Sequence, residues 1–332
     1  MALVALLVYT VGVKCRGINK KEEYAPEHVF SLSENIANKM LRFNMWDLIK
    51  HTKTHVVRTY PKGLRLNSTN YEPHRFWAAG AQLVAINWQT FGVYSFFGGA
   101  GLLISCIFLM TSVLPLLIDL GYMINHAMFQ RNGRSGYVLK PPAIRLAQKD
   151  LLAKRTMLSF DVNVISAQQL PLPKDASGHE VVDKAILDPY VEVTLYIPDW
   201  PIVSEAKHKE KGKEKEKAKS VDLSVNDDDH PAHSRPSTPS PPSAVGIAST
   251  SSRTVSSRTS VVRKNGFNPV WEEKLSIPFE CVGDMMDLIF VRFVVRQEDK
   301  DTEEPLAVYC ASLGSLQLGM LFYGRLCFDC RC

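Results

Sequence analysis

Short apolar runs alternate with polar, helix-compatible segments over residues 2–89, and this alternation constrains the fold more than any other feature of the chain. A strand that is apolar throughout has to be covered on both faces, which β/α arrangements with a parallel sheet achieve. The unbroken run from Leu3 to Tyr9, dominated by Val, Leu and Tyr, reads as such a strand. Ser33-Glu34-Asn35-Ile36-Ala37-Asn38-Lys39-Met40-Leu41 reads as one of the helix-compatible segments. Ser31 stands three residues before Glu34, the spacing of a capping box at a helix start. The opening residues have no basic start and run directly into Lys14, Cys15 and Arg16, so no signal peptide is expected.

A chain of 332 residues has room for two domains, and the text changes character after Lys140-Pro141-Pro142. Alternating strand-like segments begin at Leu158-Ser159-Phe160-Asp161-Val162-Asn163-Val164-Ile165 and at Tyr190-Val191-Glu192-Val193-Thr194-Leu195, and resume at Trp271 and at Asp287 to Val295. This is an all-β domain. It is interrupted over residues 203–263 by Lys/Glu-rich and then Ser/Pro/Thr-rich text, too polar to bury a core, so disorder is expected there. With 45% hydrophobic and 22% charged residues, the chain as a whole is nonetheless globular in composition. The net charge of +5 comes partly from Lys207 to Lys219, where Glu210, Glu214 and Glu216 blunt any attraction to an anionic surface.

The stretch between Arg75 and Asp119 carries no charge, and residues 92–118 alone would qualify as a membrane span on hydropathy. Seven scattered cysteines suit a reducing compartment, and the closing C-x-x-C-x-C of Cys327, Cys330 and Cys332 has no second cluster with which to complete a zinc site. It reads as a free-thiol tail.

Four strings occur in a fixed order: Phe30-Ser31-Leu32-Ser33-Glu34; Arg58-Thr59-Tyr60-Pro61-Lys62-Gly63 with Asn67-Ser68-Thr69-Asn70-Tyr71; Phe76-Trp77-Ala78-Ala79-Gly80 through Asn87-Trp88-Gln89-Thr90; and Asn132-Gly133-Arg134-Ser135-Gly136-Tyr137 to Pro141. Together they resemble the second barrel half, the Y region, of phosphoinositide-specific phospholipase C. The resemblance implies an α/β first domain, residues 1–145, that is the second half of a (β/α)8 TIM barrel with its site at the C-terminal ends of the strands. It places Ser31 where the family has a hydroxyl on an inositol phosphate, Arg58 where it has the phosphate-binding arginine, and Tyr60 where an aromatic ring packs on the sugar. Those residue types suit the task, because a guanidinium forks onto phosphate oxygens and a phenol combines an apolar face with a polar tip. Without the family, the same residues would read as a helix cap, a solvated charge and a core ring.

Residues 146–332 resemble a C2 β-sandwich through Leu187-Asp188-Pro189-Tyr190-Val191-Glu192-Val193 and Asn265-Gly266-Phe267-Asn268-Pro269-Val270-Trp271. Such modules hold calcium between carboxylate-rich loops. Asp188 matches a ligand position and Asp299 and Asp301 lie in the loop that would supply others, but Gln297 replaces an expected acid, so calcium binding there is expected to be weak or absent.

The chain departs from the family pattern in three places. The family's catalytic histidines and calcium ligands belong to the first barrel half, which this sequence does not contain. None of its nine histidines sits in a matching string, and His28 reads as a surface residue. Residues 92–118 interrupt a stretch that the family runs through almost directly, and read as a retained intron or gene-model error, with a real membrane anchor as the alternative. From Met320 to Cys332 the C2 text gives way, so the sandwich is expected to be truncated. The resemblance thus implies a cytoplasmic, membrane-peripheral hydrolase of phosphatidylinositol 4,5-bisphosphate that uses calcium. Its partners would be phosphoinositide lipid, an anionic membrane surface and the missing barrel half, with no nucleic acid. This chain alone is expected to be inactive. The competing reading is a non-catalytic C2 adaptor at membranes.

Overall fold

The structure, a computed structural model, describes residues 9–18, 23–65, 68–88, 119–146, 150–170, 187–200, 252–298, 305–316, 319–323 and 326–331. The expectations for Leu3 and the residues up to position 8, for residues 92–118, for Lys207 to Lys219 and for Asp299 and Asp301 lie outside these residues.

The first domain is a four-stranded parallel sheet, β1 (Val11–Gly12), β2 (His28–Ser33), β3 (Val57–Tyr60) and β4 (Leu83–Val84), in sequential order. Helices α1 (Glu34–Phe43) and α2 (Met45–Thr52) connect β2 to β3, and α3 (Pro73–Ala78) lies between β3 and β4. Side chains alternate across a strand. Phe30 and Leu32 of β2, with Val57 and Thr59 of β3, are buried, and join one core with Ala37 and Met40 of α1 and Leu48 and Ile49 of α2. Ser31, Ser33, Arg58 and Tyr60 therefore point to the opposite face.

One local expectation is corrected. Ser31 does not cap a helix: β2 runs on to Ser33, and α1 begins at Glu34 with no side-chain cap from Ser33. Parallel pairing with β3 through Ser31↔Arg58 and Ser33↔Tyr60 outweighs the local capping option.

A helix α4 (Leu120–Phe129) and a short turn α5 (Pro142–Arg145) lead to the second domain. It consists of two four-stranded sheets, in which all pairings are antiparallel, with orders β10-β9-β6-β7 and β11-β12-β5-β8. The strands are β5 (Arg155–Ala167), β6 (Pro189–Ile197), β7 (Arg253–Arg258), β8 (Val270–Val282), β9 (Phe290–Gln297), β10 (Ala307–Ser312), β11 (Gly319–Tyr323) and β12 (Leu326–Arg331). Phe160, Val162 and Val164 of β5, Val191, Val193 and Leu195 of β6, Leu275, Ile277 and Phe279 of β8 and Val291, Phe293 and Val295 of β9 supply the buried layer between the sheets. Phe160 and Phe293 meet edge to face across it, with centroids 6.5 Å apart.

Two stretches form strands that their sequence text did not suggest. Residues 253–258, assigned to the disordered stretch, form an edge strand on β6 from Glu192↔Arg258 to Ile197↔Arg253. This edge strand pairs on one side only and its side chains are mostly exposed, so a polar text with Thr254 and Val255 suffices. The stretch where the C2 text gives way also contains strands. Gly319 to Arg331 form the hairpin of β11 and β12, and β12 pairs with β5 from Leu326↔Ala167 to Arg331↔Asp161. Ladder hydrogen bonds come from the backbone, so pairing survives a change of side-chain text.

The two domains pack together. Phe290 of β9 receives the His74 ring at 5.7 Å and Trp77 at 6.1 Å. Trp200 Nε1 donates to the Ala78 carbonyl at 3.3 Å, Ser252 N donates to Glu72 at 3.0 Å, and Arg131 pairs with Asp287 at 2.9 Å. Among the described residues no helix is long and apolar enough to cross a membrane.

His74 lies wholly buried in this interface, and neither ring nitrogen has a hydrogen-bond partner among the described residues; the Glu72 carboxylate lies 4.0 Å away. Burial first, and the neighbouring Arg75 second, push its pKa down to about 3. The folded value is below the unfolded one of about 6.5, so the unfolded chain takes up the extra proton. The stability tied to neutral His74 is complete above that pH and is lost as the pH falls toward 3. Replacing it by Phe removes two unsatisfied polar atoms and keeps the ring contact. His74→Phe is expected to leave the thermal midpoint at pH 7 unchanged or raised, by about 1 kcal/mol at most, and to flatten its decline between pH 6.5 and 4. Thermal denaturation across that range checks this; a clear loss at pH 7 would mean that the imidazole has a partner.

Candidate functional site

Parallel register brings the candidate residues together. Ser31 and Arg58 are direct neighbours across β2 and β3, as are Ser33 and Tyr60 one step further along. Arg58 Nη1 donates to Ser31 Oγ at 3.4 Å, a long bond that leaves most of the guanidinium uncommitted to that contact. The same guanidinium lies 5.2 Å from the centroid of the Tyr60 ring, within cation–π range. Ser31 is exposed, and Arg58 and Tyr60 are half-buried. All three lie on one face of the sheet toward the C-terminal ends of its strands. A hydroxyl, a forked cation and an aromatic face within one cluster suit a phosphorylated, ring-shaped polyol.

Reading the sequence alone missed the polar network beside them. Glu34, which follows β2, takes Arg65 Nε at 2.7 Å and Nη2 at 2.6 Å, and Lys62 N at 3.2 Å. Arg65 Nη1 donates in turn to Thr69 Oγ1 at 3.0 Å and to the Asn70 carbonyl at 3.1 Å. Burial pushes the Glu34 pKa up, but the bonds from Arg65 and the Lys62 N–H outweigh it and hold the carboxyl below its ordinary range; the same pair raises Arg65. Below this layer, Thr59 Oγ1 and Tyr71 OH are 3.1 Å apart, and Tyr71 OH donates to the Ala85 carbonyl. Burial drives the Tyr71 phenol up to about 12. A signal was available: a carboxylate directly after one strand and an arginine five residues beyond Tyr60 both follow the ends of neighbouring parallel strands.

Asn70 joins both ends of the long apolar segment. Its side chain donates to the Asn87 carbonyl at 3.0 Å and accepts from Asn87 N at 2.6 Å, while Asn70 N donates to Asp119 Oδ2 at 2.7 Å. Asp119 Oδ1 accepts from Tyr122 N at 2.8 Å and so caps α4. The rings of Trp88 and Tyr122 meet edge to face at 5.8 Å. Residues 87–88 and 119–122 are thus held side by side.

At the C2 loops, Asp188 is already engaged. Its Oδ1 accepts from Lys264 N at 2.7 Å, and Arg263 lies 3.7 Å from Oδ2 while pairing with Glu298 at 2.9 Å. A hard cation needs six to eight oxygen ligands. No group of three or more His, Cys, Asp or Glu among the described residues could hold a metal ion. Of the candidate ligands only Asp188 falls among the described residues; Asp299 and Asp301 lie outside them.

The described histidines lie away from the Ser31 face. His28, the first residue of β2, is half-buried and accepts from Ala25 N at 3.1 Å, so it is not simply a surface residue. His51 stacks on Phe30 at 4.9 Å and on His55 at 4.3 Å, on the helix side of the sheet, and burial and His55 lower it to about 4.

Residues 3–97 match the family profile "Phosphatidylinositol-specific phospholipase C, Y domain", and residues 158–227 and 218–323 match "C2 domain". The chain is 29% identical over 333 residues to "1-phosphatidylinositol 4,5-bisphosphate phosphodiesterase 1" of Candida albicans, covering 94% of this chain and 24% of that protein. It is 31% identical over 202 residues to the delta-4 phosphodiesterase of the same name from Pongo abelii, covering 59% of this chain and 22% of that one. The crystal structure of S. officinalis PLC21 superposes with a TM-score of 0.55 at 22% identity, over 92% of this chain and 30% of that one, a likeness of fold. A parallel β/α domain with this ordered motif set, followed by an eight-stranded sandwich, defines a phospholipase-type module. The chain belongs to the phosphoinositide-specific phospholipase C family, and it spans about a quarter of the length of the curated relatives it matches.

Because Asn70 holds the two ends of the apolar segment together, deleting residues 92–118 is expected to leave the fold intact. Shortening a loop of this length stabilises by at most about 2 kcal/mol through chain entropy. Thermal denaturation of the deleted chain should show an equal or higher midpoint; failure of that variant to fold would show that the segment contributes to the core.

Proposed function

We propose that this chain is a carboxy-terminal part of an enzyme that hydrolyses phosphatidylinositol 4,5-bisphosphate to diacylglycerol and inositol 1,4,5-trisphosphate, and that it supplies the grip on the phosphorylated inositol. The observation that carries this reading is the register pair of Ser31 and Arg58, with Tyr60 against the same guanidinium. Arg58 offers its fork to a ring phosphate, Ser31 adds a small donor beside it, and Tyr60 packs against the sugar. Names of the relatives support the substrate class.

Cleavage of the phosphodiester by the inositol 2-hydroxyl needs a base for that hydroxyl, an acid for the leaving diacylglycerol oxygen and a cation for the developing phosphate charge. The described residues contribute none of these. His51 and His55 face away from the grip, and no metal-holding cluster is present among the described residues. In the family that chemistry belongs to the first barrel half. The four parallel strands are one half of an eight-stranded barrel in this reading. Val11 and Leu83 of the two outer strands, 43% and 51% exposed, mark the edges along which the other half would pair.

The C2-type sandwich brings the site to an anionic membrane surface as a peripheral, cytoplasmic module. Arg263 and Lys264 N already occupy Asp188, which supports docking that does not depend on calcium at these loops. A non-catalytic membrane adaptor uses the same sandwich, and the grip separates the two readings, since an adaptor has no need of it.

Two measurements on the purified chain test the proposal. Vesicles containing phosphatidylinositol 4,5-bisphosphate and calcium should release no inositol phosphate, and turnover by this chain would overturn the assignment of roles. Calorimetric titration with inositol 1,4,5-trisphosphate should show binding that Arg58→Gln weakens about tenfold or more, the loss of one charge-assisted fork. Binding that Arg58→Gln leaves unchanged removes Arg58 from the grip and favours the adaptor.

A further inference from the structure

We infer that Glu34 and Arg65 act as one positioning unit for the headgroup grip, locking Tyr60 and Arg58 in place without touching the ligand themselves. This rests on the reading of Ser31, Arg58 and Tyr60 as that grip. A second arginine beside a phosphate-binding arginine invites a simpler assignment, as another phosphate cation, and the geometry argues against it.

A guanidinium has five N–H donors, and those of Arg65 are directed at Glu34 through Nε and Nη2 and at Thr69 Oγ1 and the Asn70 carbonyl through Nη1. Four of the five are thus spent within the protein, and no fork is left to receive a phosphate. The side chains are also covered, 19% exposed for Arg65 and 9% for Glu34. Arg58 differs on the same criterion, with one long bond to Ser31.

Placement is the second step. Glu34 follows Ser33, the register partner of Tyr60, and its carboxylate accepts from Lys62 N, two residues beyond Tyr60. Strand pairing on one side and this carboxylate on the other close a ring around Tyr60, so the chain leaves β3 along one path only. Arg65 then holds the carboxylate from behind and ties it to the loop that ends at Asn70. A grip acts only when its rotamers and backbone are already set before the ligand arrives, and such support is what surrounding hydrogen bonds provide. A bidentate arginine–carboxylate pair is suited to it because the fork fixes direction as well as distance.

The charges make the inference testable by sign. Arg65→Gln and Glu34→Gln change the site charge in opposite directions. Were Arg65 a phosphate ligand restrained by Glu34, Glu34→Gln would free it and tighten binding. For a positioning unit both substitutions weaken binding of inositol 1,4,5-trisphosphate to the full 332-residue chain, each on the order of tenfold, and the double variant is no weaker than either single one, because both remove the same constraint. Arg65→Lys keeps the charge but not the fork, and is expected to recover part of the affinity. It also serves where a glutamine variant fails to fold. Thermal midpoints measured alongside show that the titrated variants are folded at the temperature of the experiment.

Tighter binding by Glu34→Gln overturns the inference, as does wild-type affinity in either glutamine variant, full wild-type affinity in Arg65→Lys, or additive losses in the double variant. If the unaltered chain does not bind inositol 1,4,5-trisphosphate, the grip itself falls, and the positioning role with it. If the unaltered chain binds and Arg58→Gln abolishes binding while Glu34→Gln does not weaken it, the grip stands and only the positioning role fails.

Discussion

Everything at the candidate site depends on the parallel pairing of β2 with β3. A parallel ladder with a side-chain period of two sends Phe30, Leu32, Val57 and Thr59 into the helix-covered core, and in doing so forces Ser31, Ser33, Arg58 and Tyr60 onto the other face. A slip of one residue would exchange the two sets, burying an arginine against α1 and α2 and exposing two phenylalanine- and leucine-bearing positions. The cost of burying that charge without a partner exceeds what any single apolar contact returns. The core therefore fixes the register, and the register assembles the grip.

The second dependency runs through polar groups at the strand ends. Loops over the C-terminal edge of a parallel sheet have to satisfy their own backbone, and here Glu34, Arg65, Asn70 and Asp119 do so in a chain of bonds that crosses from β2 to α4. The same bonds hold together the points where the apolar segment departs and returns. Loop-closure entropy grows slowly with length, so a long connection between points already held together costs little. The domain interface follows a different logic. His74, Trp77 and Phe290 pack as rings, and the polar atoms of His74 are carried along unsatisfied, a weakness that acid exposes.

Much of this was legible from the residues in order. The β/α character of the first domain, the sandwich of the second and the identity of Ser31, Arg58 and Tyr60 as a set came from alternation and from four ordered strings. Three features were not legible in that reading. Glu34 fits a capping box locally, and only its pairing with an arginine 31 residues away makes it something else. Residues 253–258 match the low-complexity text before them, and only β6 alongside shows them to be a strand. The hairpin of β11 and β12 departs from the family's text, although Gly324-Arg325 between two strand-forming runs is the Gly-X signal of a two-residue turn.

By itself the sequence determined which faces are apolar and which family the motifs belong to, and through that family it nominated Ser31, Arg58 and Tyr60, because periodicity and short motifs are local properties. The tertiary structure decided which of the charged residues are committed to each other and which are left for a ligand. That difference between Arg58 and Arg65 has no local signature: both lie in the same loop-and-strand segment, and what separates them is a carboxylate brought from the end of the neighbouring strand. Partners so distant in sequence are set by packing and register, which no reading of adjacent residues contains.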